Sequence, residues 1–383
     1  MSAPPVADFF RGAVQDLRVR PRGNVPALDV LRSIAILLVF TSHYGAGFQG
    51  LPWVQALPMF KQGWTGVDLF FVLSGFLIGG QLWKEVKRTN SIQIGRFLLR
   101  RGLRIWPLYY AFVGFVLVEG LFGRNLSGIW ADACFLSNYF HCQIGGGWSL
   151  STEEQFYILA PLSIAVFSRI VKPRHLWILP VAGLIGLVVN RLIVIDYVMP
   201  ANLVISLFLP LYTHADGLAI GLLLAWFSVF YPKLIQSKRL RLSVCGGMIV
   251  AGSGLYALDK VLYSFTSLAL MFGAAALWGL GLERTPKLLN WHGFYIISRL
   301  SYGMYLNHFG LLERLGSLLL GLRLKGGEPA FWAFYLVSVL ASMAVAFVTF
   351  QLIEWPFLQI RARWLASKKQ PQPQLATPAT AAP

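Results

Sequence analysis

Residues 28–44 read LDVLRSIAILLVFTSHY, an apolar run with Arg32 near its start and His43 near its end. Extended to residue 48, it is long enough for a helix rising about 1.5 Å per residue to cross a hydrocarbon core of roughly 30 Å. Working outward, comparable runs recur at 65–83, 105–122, 153–170, 175–195, 202–230, 242–258, 261–282, 296–320 and 330–352, so about ten spans are expected. The sixth contains Pro210 and Asp216 and is expected to be kinked or broken. The 383-residue chain is 56% hydrophobic and only 13% charged, where a soluble domain carries roughly a quarter. That is too little charge to coat a soluble particle. In a bilayer the exterior can be as apolar as the core. A soluble globular enzyme is excluded, and the fold class is an all-α polytopic transmembrane bundle.

The net charge of +17 raises the question of nucleic acid. Its distribution answers it, because the Lys and Arg residues cluster between apolar runs. With the N-terminus inside, 25 of the 33 basic residues fall in cytoplasmic segments and seven on the opposite side, Arg32 lying just inside the first span. The positive-inside rule therefore puts both termini in the cytoplasm and makes the span count even, with the lipid bilayer as partner and no nucleic acid. Residues 1–27 are polar and basic and read as a cytoplasmic leader, 28–360 as the membrane domain, and 361–383 as a cytoplasmic tail ending in the disorder-prone KKQPQPQLATPATAAP. The three cysteines lack metal-ligand spacing, and no metal site is expected. Cys134 and Cys142 read as unrelated small side chains, with a disulfide as the alternative should their loop face an oxidising compartment.

Charged groups inside a bilayer cost several kcal/mol each, so each needs a partner, a watery cavity or a task. Arg32 and His43 are eleven residues apart, which returns a helix to within about 20° of its starting face, about 16 Å further along. Both should look into one interior, Arg32 near the cytoplasm and His43 toward the outside. Asp68, in GWTGVDLFFVLSGFLIGG (63–80), should lie level with His43, either capping its helix or fixing the imidazole tautomer. Gly75 and Gly79 form a small-residue stripe suited to close helix contact. In GGWSLSTEEQFYILAP (146–161), Ser151 and Glu154 have capping-box spacing, leaving Glu153 free to face the interior in the layer of His43. The same stretch supplies Trp148, Ser149 and Tyr157 as candidate substrate-binding residues. The inner layer is basic: Arg101 and Arg104, at i, i+3 spacing, could grip one phosphate together. Asp216, Asn307, His308 and Glu354 are further intramembrane polar residues, His308 being either structural or functional.

Taken in order, LDVLRSIAILLVFTSHY, GVDLFFVLSGFLI, RFLLRRGLRIWPLYY, WSLSTEEQFYILAP, HADGLAIGLLLA, RLSYGMYLNH and EWP resemble the integral-membrane acyltransferase-3 family, which includes bacterial O-acetyltransferases of surface polysaccharides. The likeness runs from about residue 26 to 356, departing at Thr152 and Asn307. It implies transfer of an acyl group, commonly acetyl, from cytoplasmic acyl-CoA (a co-substrate, with no bound cofactor) to a hydroxyl of a carbohydrate or lipid-linked saccharide at a bacterial inner membrane. The family's Arg-x10-His pair maps to Arg32 and His43, and its Arg-x-x-Arg to Arg101 and Arg104. Some relatives carry an additional esterase-like domain, for which this chain is expected to be too short. The corresponding expectation for chemistry is that His43 takes the acceptor's proton while Asp68 or Glu153 orients the imidazole, or that His43 itself is acylated. The rival reading is a proton-coupled transporter, which would use the same intramembrane charges but leaves the motif series unexplained.

Overall fold

The structure, a computed structural model, describes residues 6–21, 23–46, 54, 56–197, 200–282, 286–318 and 327–367. Among them there is no strand. After an N-terminal helix α1 (Val6–Arg18), every apolar run of the sequence is helical: α2 (Pro26–Ala46), α3 (Gly66–Thr89), α4 (Ile94–Gly120), α5 (Gly147–Phe167), α6 (Ile178–Tyr197), α7 (Pro200–Phe208) with α8 (Asp216–Phe230), α9 (Lys238–Leu258), α10 (Lys260–Leu280), α11 (His292–Leu318) and α12 (Gly327–Thr349). A final helix, α13 (Trp355–Ser367), follows a π-helical turn at Phe350–Glu354. Pro356 accounts for that turn, since a proline nitrogen has no hydrogen to donate into the ladder. Among the described residues, seven helical stretches are long and apolar enough to cross a membrane on length and composition. The runs that fall short are those carrying polar groups: α5 with its two glutamates, α11 with Arg299, His308, Glu313 and Arg314, and the divided sixth run. Exposed Ile185, Val204, Val250, Leu336 and Leu340 give the bundle the apolar exterior that lipid requires.

The centre is built on α2, which packs against α3 on one side and α11 on the other. Between α3 and α8 the backbones almost touch. A Cβ on Gly75 would land on the Leu218 carbonyl, one on Gly221 on the Val72 carbonyl, and one on Gly217 at 2.7 Å from Phe71 Cβ. The small-residue stripe expected on α3 is therefore one half of an interlocking pair of glycine faces.

The sixth run breaks between Phe208 and Asp216, and the polar groups it frees are satisfied internally. His214 Nδ1 donates to the Phe208 carbonyl at 2.7 Å, and Thr213 Oγ1 to the Pro210 carbonyl at 3.1 Å. Arg191, fully buried, donates to the Thr213 carbonyl at 2.9 Å and forks onto Asp216 at 2.8 and 3.1 Å, with Thr266 hydrogen-bonded to both charged groups. Irregular backbone at this depth is tolerable only with such partners.

The first and last described helices, α1 and α13, both pack on the bundle. Asp16 of α1 pairs with Arg299 at 2.5 Å, and Tyr295 and His292 bond to the Asp16 and Leu17 carbonyls at 2.8 Å. Residues 361–367, expected to belong to the tail, are helical as the end of α13. Apolar Trp364 and Leu365 extend the helix before the Pro- and Gln-rich stretch. Residues 368–383 of that expected tail, like Arg22 of the leader, lie outside the described residues.

Candidate active site

Arg32 and His43 both turn toward α11, at two levels. Arg32 lines a cavity of about 80 Å³ with Ser74 of α3, Ser149 and Glu153 of α5, and Ser301, Tyr302 and Tyr305 of α11. His43, further along α2, meets His308 and Phe309, with ring centroids 4.9 and 4.1 Å away. Its Nδ1 lies 2.9 Å from Nε2 of His308. Tyr305 joins the levels. Its hydroxyl sits 2.5 Å from Ser149 Oγ in the cavity, and its carbonyl lies 2.5 Å from His308 Nδ1.

The inner level is rich in arginine. Arg104 feels the charges of Arg32, Arg101, Arg299 and Arg361, and Glu354 faces Arg104 and Arg299. Arg101 lies over the rings of Phe97 and Tyr157. Arg32, Arg104 and Arg361 make no hydrogen bond or ion pair with described residues, and Nε of Arg32 is buried without a partner. Cations held together against their mutual repulsion, without salt bridges, form a receptor for an anion.

The expected orientation of His43 by a carboxylate is corrected. Asp68, fully buried, bonds His214 Nε2 at 2.9 Å and so helps hold the broken sixth span. It does not cap its helix either, which is entered through Thr65 without a side-chain cap. Glu153 accepts from Ser74 at 2.6 Å and Tyr157 at 2.8 Å, and its cationic neighbours are Arg32 and Arg101. It therefore belongs to the arginine level and not to that of His43. The reason is where the helix starts. Gly146, at φ 79°, turns the chain into α5 from Gly147, so Glu153 lies about 9 Å inside the helix and not at its mouth. The expected capping box is absent for the same reason: Ser151 is a helical residue that accepts from the Ser137 amide, and Glu154 accepts from Trp106 Nε1 at 3.0 Å.

Of the three substrate-binding candidates, Ser149 lines the cavity and Tyr157 reaches it through Glu153. Trp148 packs instead among the rings of Phe71, Phe208 and His214. Sequence reasoning did not single out Ser74, Tyr305 or His214. The i, i+3 spacing of Tyr305 and His308 was a legible signal, since it stacks two polar groups on one helix face. Cys134 and Cys142 are both unpaired. Among the described residues no group of His, Cys, Asp and Glu could hold a metal ion.

The site thus lies within a polytopic helical bundle, where a small cavity holding Arg32 and Glu153 sits one level from the half-buried imidazole of His43. The chain belongs to the acyltransferase-3 family, whose acyltransferase domain matches residues 25–351. It is similar to peptidoglycan O-acetyltransferase OatA of Listeria monocytogenes, with 27% identity over 88% of this chain and 56% of that protein. It is also similar to O-acetyltransferase OatA of Staphylococcus aureus, at 25% over 87% and 57% respectively. The putative peptidoglycan O-acetyltransferase YrhL of Bacillus subtilis is 28% identical over 87% of this chain and 54% of its own. The chain thus spans little more than half the length of these relatives. No solved structure matches it.

Proposed function

We propose that this chain is a membrane O-acyltransferase that moves an acetyl group from cytoplasmic acyl-CoA to a hydroxyl of an extracytoplasmic or membrane-linked carbohydrate. The observation that carries the reading is the two-level face of α2: Arg32 among unpaired arginines and, one stretch of helix further, His43 against α11. Arg32, Arg101 and Arg104 receive the phosphates of the donor from the basic end, where Arg299 and Arg361 add to the field. The thioester arm then lies along the axis between Tyr305 and His43. His43 accepts the proton of the acceptor hydroxyl as its oxygen attacks the thioester carbonyl. A C–O bond forms, the C–S bond breaks, and the CoA thiolate takes up the proton. A two-step route, with His43 briefly acylated, uses the same nitrogen as nucleophile. The similarity to relatives named for O-acetylation, two of them of peptidoglycan, supports a glycan as acceptor.

The test is release of free thiol from acetyl-CoA by purified protein in proteoliposomes, with and without a trimer of N-acetylglucosamine. Acceptor-dependent release that disappears in His43→Ala is expected. Absence of release above that variant overturns the reading in favour of a carrier. Radiolabel retained on the protein without acceptor and lost in His43→Ala selects the two-step route.

A further inference from the structure

We infer that His308 is the residue that positions His43, holding it in the tautomer with hydrogen on Nδ1 and a bare Nε2. The inference rests on the reading of His43 as the group that meets the acceptor hydroxyl. His308 is fully buried on α11, and its Nδ1 lies 2.5 Å from the Tyr305 carbonyl oxygen. A carbonyl only accepts, so Nδ1 of His308 carries a hydrogen. In a neutral ring the other nitrogen is then a bare lone pair. That nitrogen, Nε2, stands 2.9 Å from Nδ1 of His43, and one hydrogen must lie between them. It belongs to His43. The remaining nitrogen of His43, Nε2, is left without hydrogen and is the one able to take a proton or attack a carbonyl.

The alternative is a doubly protonated His308 donating in both directions. Its surroundings oppose a cation. The rings of Phe40, His43, Tyr305 and Phe309 enclose it, and no carboxylate pairs with it among the described residues. An unpaired charge there would stand in an apolar site. Two histidines thus do what a carboxylate–histidine pair does elsewhere, with a neutral partner. When Nε2 of His43 takes the acceptor proton, the positive ring already has its Nδ1 hydrogen bonded to His308. A neutral partner also leaves His43 less basic than an aspartate would, which eases return of the proton to the departing thiolate.

Selective ¹⁵N labelling of the six histidines, with His43 assigned by its loss in His43→Gln, reads the tautomer directly in the full chain in lipid. The Nδ1-hydrogen form is expected in the wild type, with a shift toward the Nε2-hydrogen form in His308→Leu. In the thiol assay His308→Leu should lower kcat by roughly 10- to 100-fold, as when a histidine loses its orienting partner, with the KM for acetyl-CoA unchanged. His308→Gln, whose side-chain oxygen can still accept from Nδ1, should recover much of the rate. An Nε2-hydrogen His43 in the wild type overturns the inference. So does an unchanged kcat in His308→Leu, or a His308→Gln that elutes as folded protein yet is as slow as the leucine variant. If the wild type releases no thiol at all, the acyltransferase reading fails, and the tautomer still decides whether His308 governs His43.

Discussion

Replacing Asp216 by alanine should destabilise the bundle severely, and replacing its partner as well should restore part of the loss. The Asp216 carboxylate accepts two hydrogen bonds from Arg191, at 2.8 and 3.1 Å, and both side chains are fully buried. Charge-assisted bonds contribute about 1.5 to 3 kcal/mol each, and stranding one member of a buried ion pair costs about 3 to 5 kcal/mol. The partner-finding available to a chain unfolded within lipid reduces such figures, so about 3 kcal/mol is the working value for Asp216→Ala. Arg191→Leu with Asp216→Ala removes both charges and should cost less than Asp216→Ala alone, leaving only the Thr213 carbonyl and Thr266 hydroxyl to find new partners. The assay is the thermal midpoint of purified protein in detergent, read through all four corners of the cycle. If the double variant is as damaged as the sum of the singles, the two residues do not act as a pair. The account of how the broken sixth span is held together would then be wrong.

Gly221→Leu should prevent close approach of α8 to α3, since even a Cβ there meets the Val72 carbonyl; overpacking costs about 1 to 3 kcal/mol for small additions, so a lower thermal midpoint is expected, while Gly183→Leu, with open space around it, should leave the midpoint unmoved. Arg104→Ala should raise the KM for acetyl-CoA by roughly 10- to 150-fold, the equivalent of one charge-assisted contact of about 1.5 to 3 kcal/mol, with a smaller effect on kcat; steady-state kinetics at fixed salt decide it. Cys134 and Cys142, both unpaired, should each take up a maleimide in the folded protein, the exposed Cys134 faster, and non-reducing electrophoresis should show no mobility shift.

The parts of this architecture that were legible in the sequence are those set by periodicity and local chemistry. Eleven residues fix the shared face of Arg32 and His43 whatever surrounds them. Pro210 marks the break in the sixth span because no neighbour can supply its missing hydrogen. The glycines of α3 announced close contact, though not with α8. What failed was depth and pairing. The depth of Glu153 hangs on where α5 starts, and only Gly146, in a left-handed conformation, sets that start. Pairing between spans leaves no local trace: Asp68 had His43, His214 and His308 available in distant segments, and nothing within GVDLFF distinguishes them. Tertiary packing made the choice by placing α8 against α3.

Charge balance separates the scaffold from the site. At the sixth-span break each charged side chain has a complement, Arg191 with Asp216 and His214 with Asp68. At the inner level Arg32, Arg101, Arg104, Arg299 and Arg361 lie in the field of carboxylates that include Asp16, Asp29, Glu153 and Glu354. Asp16 is taken by Arg299 within the group, and Asp29 accepts from Asn24 at 2.7 Å. Glu153 takes its hydrogen bonds from Ser74 and Tyr157, not from an arginine. A fold seeking only stability would pair these cations or replace them with apolar side chains, since unpaired charge at membrane depth is costly. Arg32, Arg104 and Arg361, which persist without hydrogen-bonding or ion-pair partners among the described residues, differ in this from Arg191, and the anionic donor of the proposed function would complete them.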